Sequence, residues 1–399
     1  MKSTTQPGHI DHIKQTNMGV VYRYIDQQGP ISRISLSKKA QLAPASITKI
    51  TRELMDAHLV RETEFPGLGF RGRPAIGLKT DCGGWHFLCI RINRGEVIFA
   101  LRELSGKLLA EEIIAFPATR PDFVPPFLAE IDAFFARNYA IVGRLTAIAI
   151  TINAVVDPAK GIILDFPYYN IAELPVADIL FQHTGMPVFL QHAVSAWSLA
   201  EYFFGASKEC RNSIQLVIDE HVGAAVITDG SLLHAHRHSS AEIGHTRVNP
   251  QGKSCYCGNQ GCLETEVGIR HLLARAAAFL TGPDGQPPTA DTLCHAALEG
   301  DVSACALIEE AGHYIGDVAA VMVNIFNPEM ILIGSPLNAA SSVLFPAIQS
   351  RINQSALPEF SKTFTMTSCE FINCGTLPGA ALVKEALYSG SLLIKLMNG

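Results

Sequence analysis

The sequence predicts a mixed α/β chain in which an N-terminal winged helix-turn-helix is followed by a body of two similar α/β lobes. Three observations carry this reading. Apolar residues recur at helical spacing through residues 13–60, with a link of only two residues between the second and third segments. Two distant stretches, Ile90–Leu109 and Ile218–Leu233, share one layout of strand, Gly-containing loop, strand, then Gly before paired leucines. The charge is also uneven: residues 1–80 hold 12 Lys and Arg against 6 Asp and Glu, whereas the remaining 319 hold 19 against 31. At 399 residues the chain has room for two or three domains, expected at 1–81, 82–200 and 201–399.

In the head, Ile13–Asp26 reads as a helix stopped by Gln28, Gly29 and Pro30, Ser35–Gln41 as a short second helix, and Pro44–His58 as a third. Pro44 suits the first helical position, where its missing N–H costs nothing, although Ala43 is a poor N-cap. Ile47, Ile50 and Leu54 share one face of the third helix, leaving Ala45, Ser46, Thr48, Lys49 and Arg52 outward. Small polar groups near the N-terminus with cations behind them match a helix that reads base edges and anchors on phosphates. Leu59–Thr63 and Ala75–Lys79 read as the strands of a wing, with Arg71, Gly72, Arg73 and Pro74 at its turn. Two arginines flanking a glycine suit an A·T-rich minor groove, and an ordinary basic turn is the alternative.

Beyond Trp85, strands and helices alternate, as two α/β lobes facing a cleft require. Pro158–Gly161, Phe166–Tyr169 and Gly282–Pro288 read as surface loops. With 48% hydrophobic and 17% charged residues the chain can bury large cores and is not a disordered protein. Stretches such as Leu145–Val156 are broken by Thr146, Thr151 and Asn153, so no membrane span is expected. The opening MKSTTQPGHIDHIKQTN has no apolar core of a secretory signal, which makes the cytoplasm the expected compartment.

Ten cysteines in such a compartment are not expected to form disulfides. His245, Cys255, Cys257 and Cys262 fall within 18 residues, with Gly252, Gly258 and Gly261 allowing tight turns. Three thiolates and an imidazole complete a tetrahedral zinc set with no open position, so one structural Zn2+ per chain is expected rather than a hydrolytic metal. Cys82, Cys89, Cys210, Cys294, Cys305, Cys369 and Cys374 read as scattered core residues. Phe127, Leu128, Ile131, Phe134 and Phe135 form a helical apolar stripe, read either as core or, through Phe134 and Phe135, as a partner-docking surface. The ending LLIKLMNG is open between a packed and a surface helix.

These residues together resemble the ROK family of sugar-responsive repressors and sugar kinases over nearly the whole chain. The resemblance rests on Glu242-Ile243-Gly244-His245, on Cys255-Tyr256-Cys257-Gly258-Asn259 with Gly261-Cys262-Leu263-Glu264, and on Asn327-Pro328 with Ile331–Gly334. It implies an actin-like ATPase (RNase H-like) body. The stretches QPGHIDHIKQTN, AQLAPASITKI, RGRPA and ALYSGSLLIKL look closest to the family's repressors of glucose-uptake genes. That implies a homodimer or tetramer on a double-stranded DNA operator, released when the dephosphorylated IIB domain of the phosphotransferase-system glucose permease sequesters the protein.

The chain departs from the family's kinases at three places. Arg91, Asn93, Arg94 and Gly95 stand at the first phosphate loop, where bulky side chains oppose close backbone approach. Asp219, Glu220 and His221 put carboxylates at the second loop, and Ala193 stands where the catalytic Asp would take a proton. No kinase activity is therefore expected; the alternative is a ROK-type sugar kinase with an added DNA-binding head, separable by ATP turnover with a hexose. Glu242 and Glu264 match the family's sugar-binding carboxylates, with His192 beside Ala193 in place of an Asn. They read either as a vestigial sugar pocket or as braces for the zinc loop.

Overall fold

The structure is a computed structural model and describes residues 8–64, 76–117, 122–233, 241–371 and 375–398. The head contains α1 (Gly8–Gln28), α2 (Arg33–Ala40) and α3 (Pro44–Asp56), followed by β1 (Val60–Glu64) and β2 (Ile76–Thr80). Each boundary has a local cause. The Ser32 hydroxyl accepts the Ser35 amide at 3.1 Å and caps α2, whose far end closes on Gln41 in the left-handed region at φ 52°. Ser37 Oγ then donates to the Leu42 carbonyl at 2.7 Å, fixing the link of Gln41, Leu42 and Ala43, one residue longer than the sequence suggested, and α3 starts on Pro44 with no side-chain cap at Ala43. Met18, Val21, Ile25, Leu36, Ile47, Leu54, Leu59 and Leu78 are buried together as the small core. β1 and β2 pair antiparallel, Val60 opposite Thr80 and Glu64 opposite Ile76. The expected wing turn, with Arg71, Gly72, Arg73 and Pro74, lies outside the described residues.

The body continues through β3 (Trp85–Ile92), β4 (Gly95–Glu103), β5 (Leu108–Phe116), α4 (Val124–Arg137), β6 (Arg144–Ile152), β7 (Val155–Asp157), β8 (Ile162–Phe166), β9 (Ile171–Leu174), α5 (Val176–Thr184) and β10 (Val188–His192). Then come α6 (Ala193–Phe204), β11 (Ser213–Ile218), β12 (Val222–Thr228), β13 (Ser231–Leu232), α7 (Leu263–Val267), α8 (Ile269–Ala276), α9 (Ala290–Leu298) and α10 (Val302–Phe326). The chain closes with β14 (Met330–Gly334), α11 (Ser341–Ser355), β15 (Thr365–Ser368), α12 (Leu377–Tyr388) and α13 (Ser391–Asn398).

The internal duplication appears as one topology used twice. The first sheet runs β10-β6-β3-β4-β5 and the second β15-β14-β11-β12-β13. In each, the first strand pairs antiparallel with the next (β3 with β4, β11 with β12) and parallel with a later strand (β6, β14) reached through a crossover. β3 and β11 sit inside their sheets and are buried on both faces, which is why neither shows the alternation of a half-exposed strand. Gly312 and Gly316 of α10 lie against α11, where added Cβ atoms would meet Ala347 and Arg351 at 2.7 Å.

Two compact units divide the chain: residues 1–152, 160–190 and 379–399 form one, and 153–159 with 191–378 the other. The expected boundaries at 1–81, 82–200 and 201–399 differ from this in three ways: residues 1–81 share one unit with the first lobe, residues 153–159 and 191–200 go with the second unit, and residues 379–399 go with the first, beside the head. There the ending forms a packed helix, α13: Leu392 and Leu393 are fully buried, and a Cβ on Gly390, at φ 79°, would strike the Gln15 carbonyl oxygen of α1.

Phe166–Tyr169 is not the surface loop the sequence suggested. Phe166 and Tyr169 are buried, and the Tyr169 ring packs edge-on against Phe116 and Phe166 at 5.8 and 5.2 Å. Apolar rings at this turn gain more from the lobe core than from solvent.

Candidate nucleic-acid interface and metal centre

The outward face of α3 is as the helical period dictates. Ala45, Ser46, Thr48, Lys49 and Arg52 are all exposed, while Ile47, Ile50, Thr51 and Leu54 are buried. No acidic residue stands in the first turn of α3, so its unpaired amides face solvent without a competing carboxylate. Thr48 donates its hydroxyl proton back to the Pro44 carbonyl at 2.9 Å, leaving its oxygen as an acceptor. Arg33, which no local motif marks, holds the helix in place: its Nε donates to Thr51 Oγ1 at 3.2 Å and its Nη2 to Glu62 Oε1 at 2.9 Å. One guanidinium thus ties α2 to α3 and to β1. On α3's other flank, Lys14 of α1 pairs with Glu53 at 3.1 Å.

In the second unit, His245, Cys255, Cys257 and Cys262 come together with every ligand atom within 4.8 Å of the others. Cys255 Sγ lies 3.6 Å from His245 Nδ1, and Cys257 Sγ 3.6 Å from Cys262 Sγ. Tetrahedral zinc with bonds of ~2.3 Å to sulfur separates its ligands by about 3.7 Å, so the donor set fits such an ion in chemistry and in spacing. The turn that delivers the sulfurs is tightly specified. The Cys255 amide donates to the Asn259 carbonyl at 2.8 Å and Gly258 turns at φ 91°; Gly261, at φ 70°, presses so closely on Asn249 that any Cβ would strike its carbonyl. Burial, with the neighbouring sulfurs, pushes the Cys262 thiol up to about 12. The other ring nitrogen of His245, Nε2, lies 3.1 Å from the Tyr256 hydroxyl, a contact with no signal in the spacing of the two residues.

Near the cluster, Glu264 is buried and its Oε2 accepts the Val222 amide at 2.9 Å, with His221 Nδ1 at 3.9 Å. That oxygen is committed to bracing β12, whereas Glu242 is exposed. Asp219, Glu220 and His221 form the β11–β12 turn, the Asp219 amide donating to the His221 carbonyl at 3.2 Å. His192 is the N-cap of α6, its Nδ1 accepting the Val194 amide at 3.3 Å, and Ala193 is the first helical residue. At the β3–β4 turn of the first unit, Arg91 Nε donates to Asn93 Oδ1 at 3.1 Å. The Gly95 amide donates to the Tyr169 hydroxyl at 3.0 Å, and that hydroxyl faces the carbonyls of Asn93 and Phe116 at 2.7 and 2.8 Å. Tyr169 therefore fills the turn from within.

The Phe stripe of α4 points inward. Phe127, Ile131 and Phe134 are fully buried, and Phe134 stacks on Phe99 at 5.8 Å, so Phe134 is no part of a docking surface in this structure. Leu128 and Phe135 are half-buried. Among the other cysteines, Cys89, Cys210, Cys294 and Cys369 are buried as expected and Cys82 and Cys305 half-buried; Cys374 lies outside the described residues.

A profile of the ROK family matches residues 87–386, which spans both sheets and the metal cluster. The chain belongs to the ROK family. Among ROK proteins it is 52% identical over the full length of both chains to the DNA-binding transcriptional repressor Mlc of Escherichia coli K12. To the DNA-binding transcriptional dual regulator NagC of the same organism it is 35% identical, over 98% of each chain. A solved ROK family transcriptional regulator, described as a homolog of the E. coli Mlc protein, matches with a TM-score of 0.90 at 42% identity, covering 98% of this chain and 100% of the other. The match to these ROK regulators includes the head that precedes residue 87. Among the described residues, no helix is long and apolar enough to cross a membrane.

Proposed function

We propose that this ROK protein is a DNA-binding transcriptional repressor of sugar-uptake genes of the phosphotransferase system. The observation that carries the reading is the full-length 52% identity to Mlc, head included. The exposed polar and basic face of α3 supports it. Residues 1–81 act as a winged helix-turn-helix. Ser46, Thr48 and Lys49 enter the major groove, Ala45 and Arg52 flank them, and Arg71, Gly72 and Arg73 lie in an A·T-rich minor groove. The operator is a pseudo-palindrome bound by a dimer or tetramer, and the His245, Cys255, Cys257, Cys262 cluster holds one structural zinc. Release follows sequestration on the dephosphorylated IIB domain of the glucose permease, with Phe135 at the docking surface.

Phosphoryl transfer is not part of this function. The filled β3–β4 turn, the carboxylates at 219–220 and the methyl group of Ala193 each oppose a separate requirement of that chemistry. Genomic footprinting with and without a transported sugar tests the reading: occupied sites beside sugar-uptake genes that empty on transport are expected. Hexose phosphorylation well above a Glu242→Ala control would replace the repressor with a kinase.

A further inference from the structure

A cavity of about 790 Å³ lies within the first unit, where the head, the first sheet and the C-terminal helix meet. Its walls are the C-terminal end of α3, the first residues of β3 and β6, the turn after α5, and α13. One wall is rigid. Trp85 is buried, its Nε1 donates to the His58 carbonyl at 3.0 Å, and the Arg144 guanidinium lies 5.3 Å from its ring centroid. Met186, Leu396 and Met397 add an apolar, adaptable lining.

The polar groups favour one charge. Lys14 is answered by Glu53 at 3.1 Å. Among the described residues, the side chains of Arg144 and Lys395 form neither an ion pair nor a hydrogen bond, and the remaining acid facing the cavity is the exposed Asp56. Three cations thus stand against two carboxylates, one of which is already paired. A cationic ligand would meet two unpaired cations, Arg144 and Lys395, against the single unpaired carboxylate of Asp56, and the surface offered by Trp85, Leu145, Met186 and Leu396 suits an apolar body better than a ring of hydroxyls. A volume of this size is that of a small-molecule site.

We propose that this cavity is a binding site for a small amphiphilic anion, its carboxylate or phosphate held by Arg144 and Lys395 and its apolar body lying against Trp85 and Met186. Because α3 and α13 both supply walls, the occupant holds the C-terminal end of the reading helix against the first sheet. The site is independent of the sugar-binding and metal-binding positions of the second unit, and its occupancy is measurable without DNA.

The test uses the full chain carrying Trp197→Phe, which leaves Trp85 as the single tryptophan, and titrates octanoate, octyl phosphate, octylamine, 1-octanol and inorganic phosphate. A saturable change in Trp85 emission with octanoate or octyl phosphate is expected, identifying the head group preferred. The amine, the alcohol and free phosphate should each need about tenfold more or fail to saturate, and Arg144→Met should weaken the anions about tenfold while leaving the alcohol unchanged. Hydrogen exchange on the wild-type chain, which does not depend on the tryptophan substitution, should show residues 53–58 protected by the same anions. An equal response to octylamine, or no saturation and no protection with either anion at millimolar concentration, overturns the proposal.

Discussion

The phenolic hydroxyl of Tyr388 donates a 2.6 Å hydrogen bond to the Asp26 carboxylate, joining the end of α12 to the end of α1 across 362 residues of sequence. Lys384 reaches the same carboxylate oxygen at 2.9 Å, and the Arg23 guanidinium lies 5.6 Å from the Tyr388 ring centroid. Burial, reinforced by the Asp26 charge, holds the Tyr388 hydroxyl protonated far above the ordinary phenol range. This cluster makes the C-terminal helices part of the head's support.

Tyr388→Phe removes one charge-assisted bond without a change of shape and should cost about 1.5–3 kcal/mol. Asp26→Ala removes the acceptor of both bonds and should cost more. Hydrogen exchange along α1 is the measurement, because the loss is local to the first unit; protection of α1 unchanged in both variants would refute the support role.

Gly19 sits in the interior of α1, where alanine ordinarily stabilises a helix by ~1 kcal/mol. Here a Cβ would collide with the Tyr388 carbonyl oxygen and crowd the Gly390 amide, both backbone groups that cannot rotate away. Gly19→Ala should therefore destabilise the first unit by about 1–3 kcal/mol. A raised urea midpoint in this variant would show that α1 and α12 do not pack this closely.

Burial raises the Glu385 carboxyl from its ordinary 4.5 to about 7. The folded chain then holds a proton that the unfolded chain releases between these values, so this group's contribution to stability falls as pH rises from 4.5 to 7 and is flat above. Glu385→Gln should remove that slope and leave the variant more stable than wild type at pH 8. Parallel urea midpoints for the two proteins across pH 5–8 would contradict the assignment.

Purified protein should carry one zinc per chain, lost on prolonged chelation together with stability of the second unit. Cys257→Ser should do the same while leaving the exposed face of α3 unaltered, since these residues lie in different units. Elemental analysis of protein grown in zinc-replete medium, paired with a thermal melt, decides it: metal-free protein with an unchanged melt would remove the structural zinc.

How much of this was legible in the sequence follows from how far each feature reaches along the chain. The three head helices, their breakers and the buried face of α3 were readable because such signals are local: Ile47, Ile50 and Leu54 repeat at the helical period within eight residues. His245, Cys255, Cys257 and Cys262 were readable for the same reason, being close in sequence with glycines between them. The duplicated lobes showed because each copy repeats one local pattern. Tertiary structure alone decided the rest: that Phe134 and Tyr169 face inward, that the C-terminal helices join the first unit, and that Trp85 and Arg144 line a cavity with α13. Each of these depends on which distant surface a side chain meets, and such pairings leave no periodic mark in either partner's own sequence, because burial rewards the contact and not the spacing that produced it.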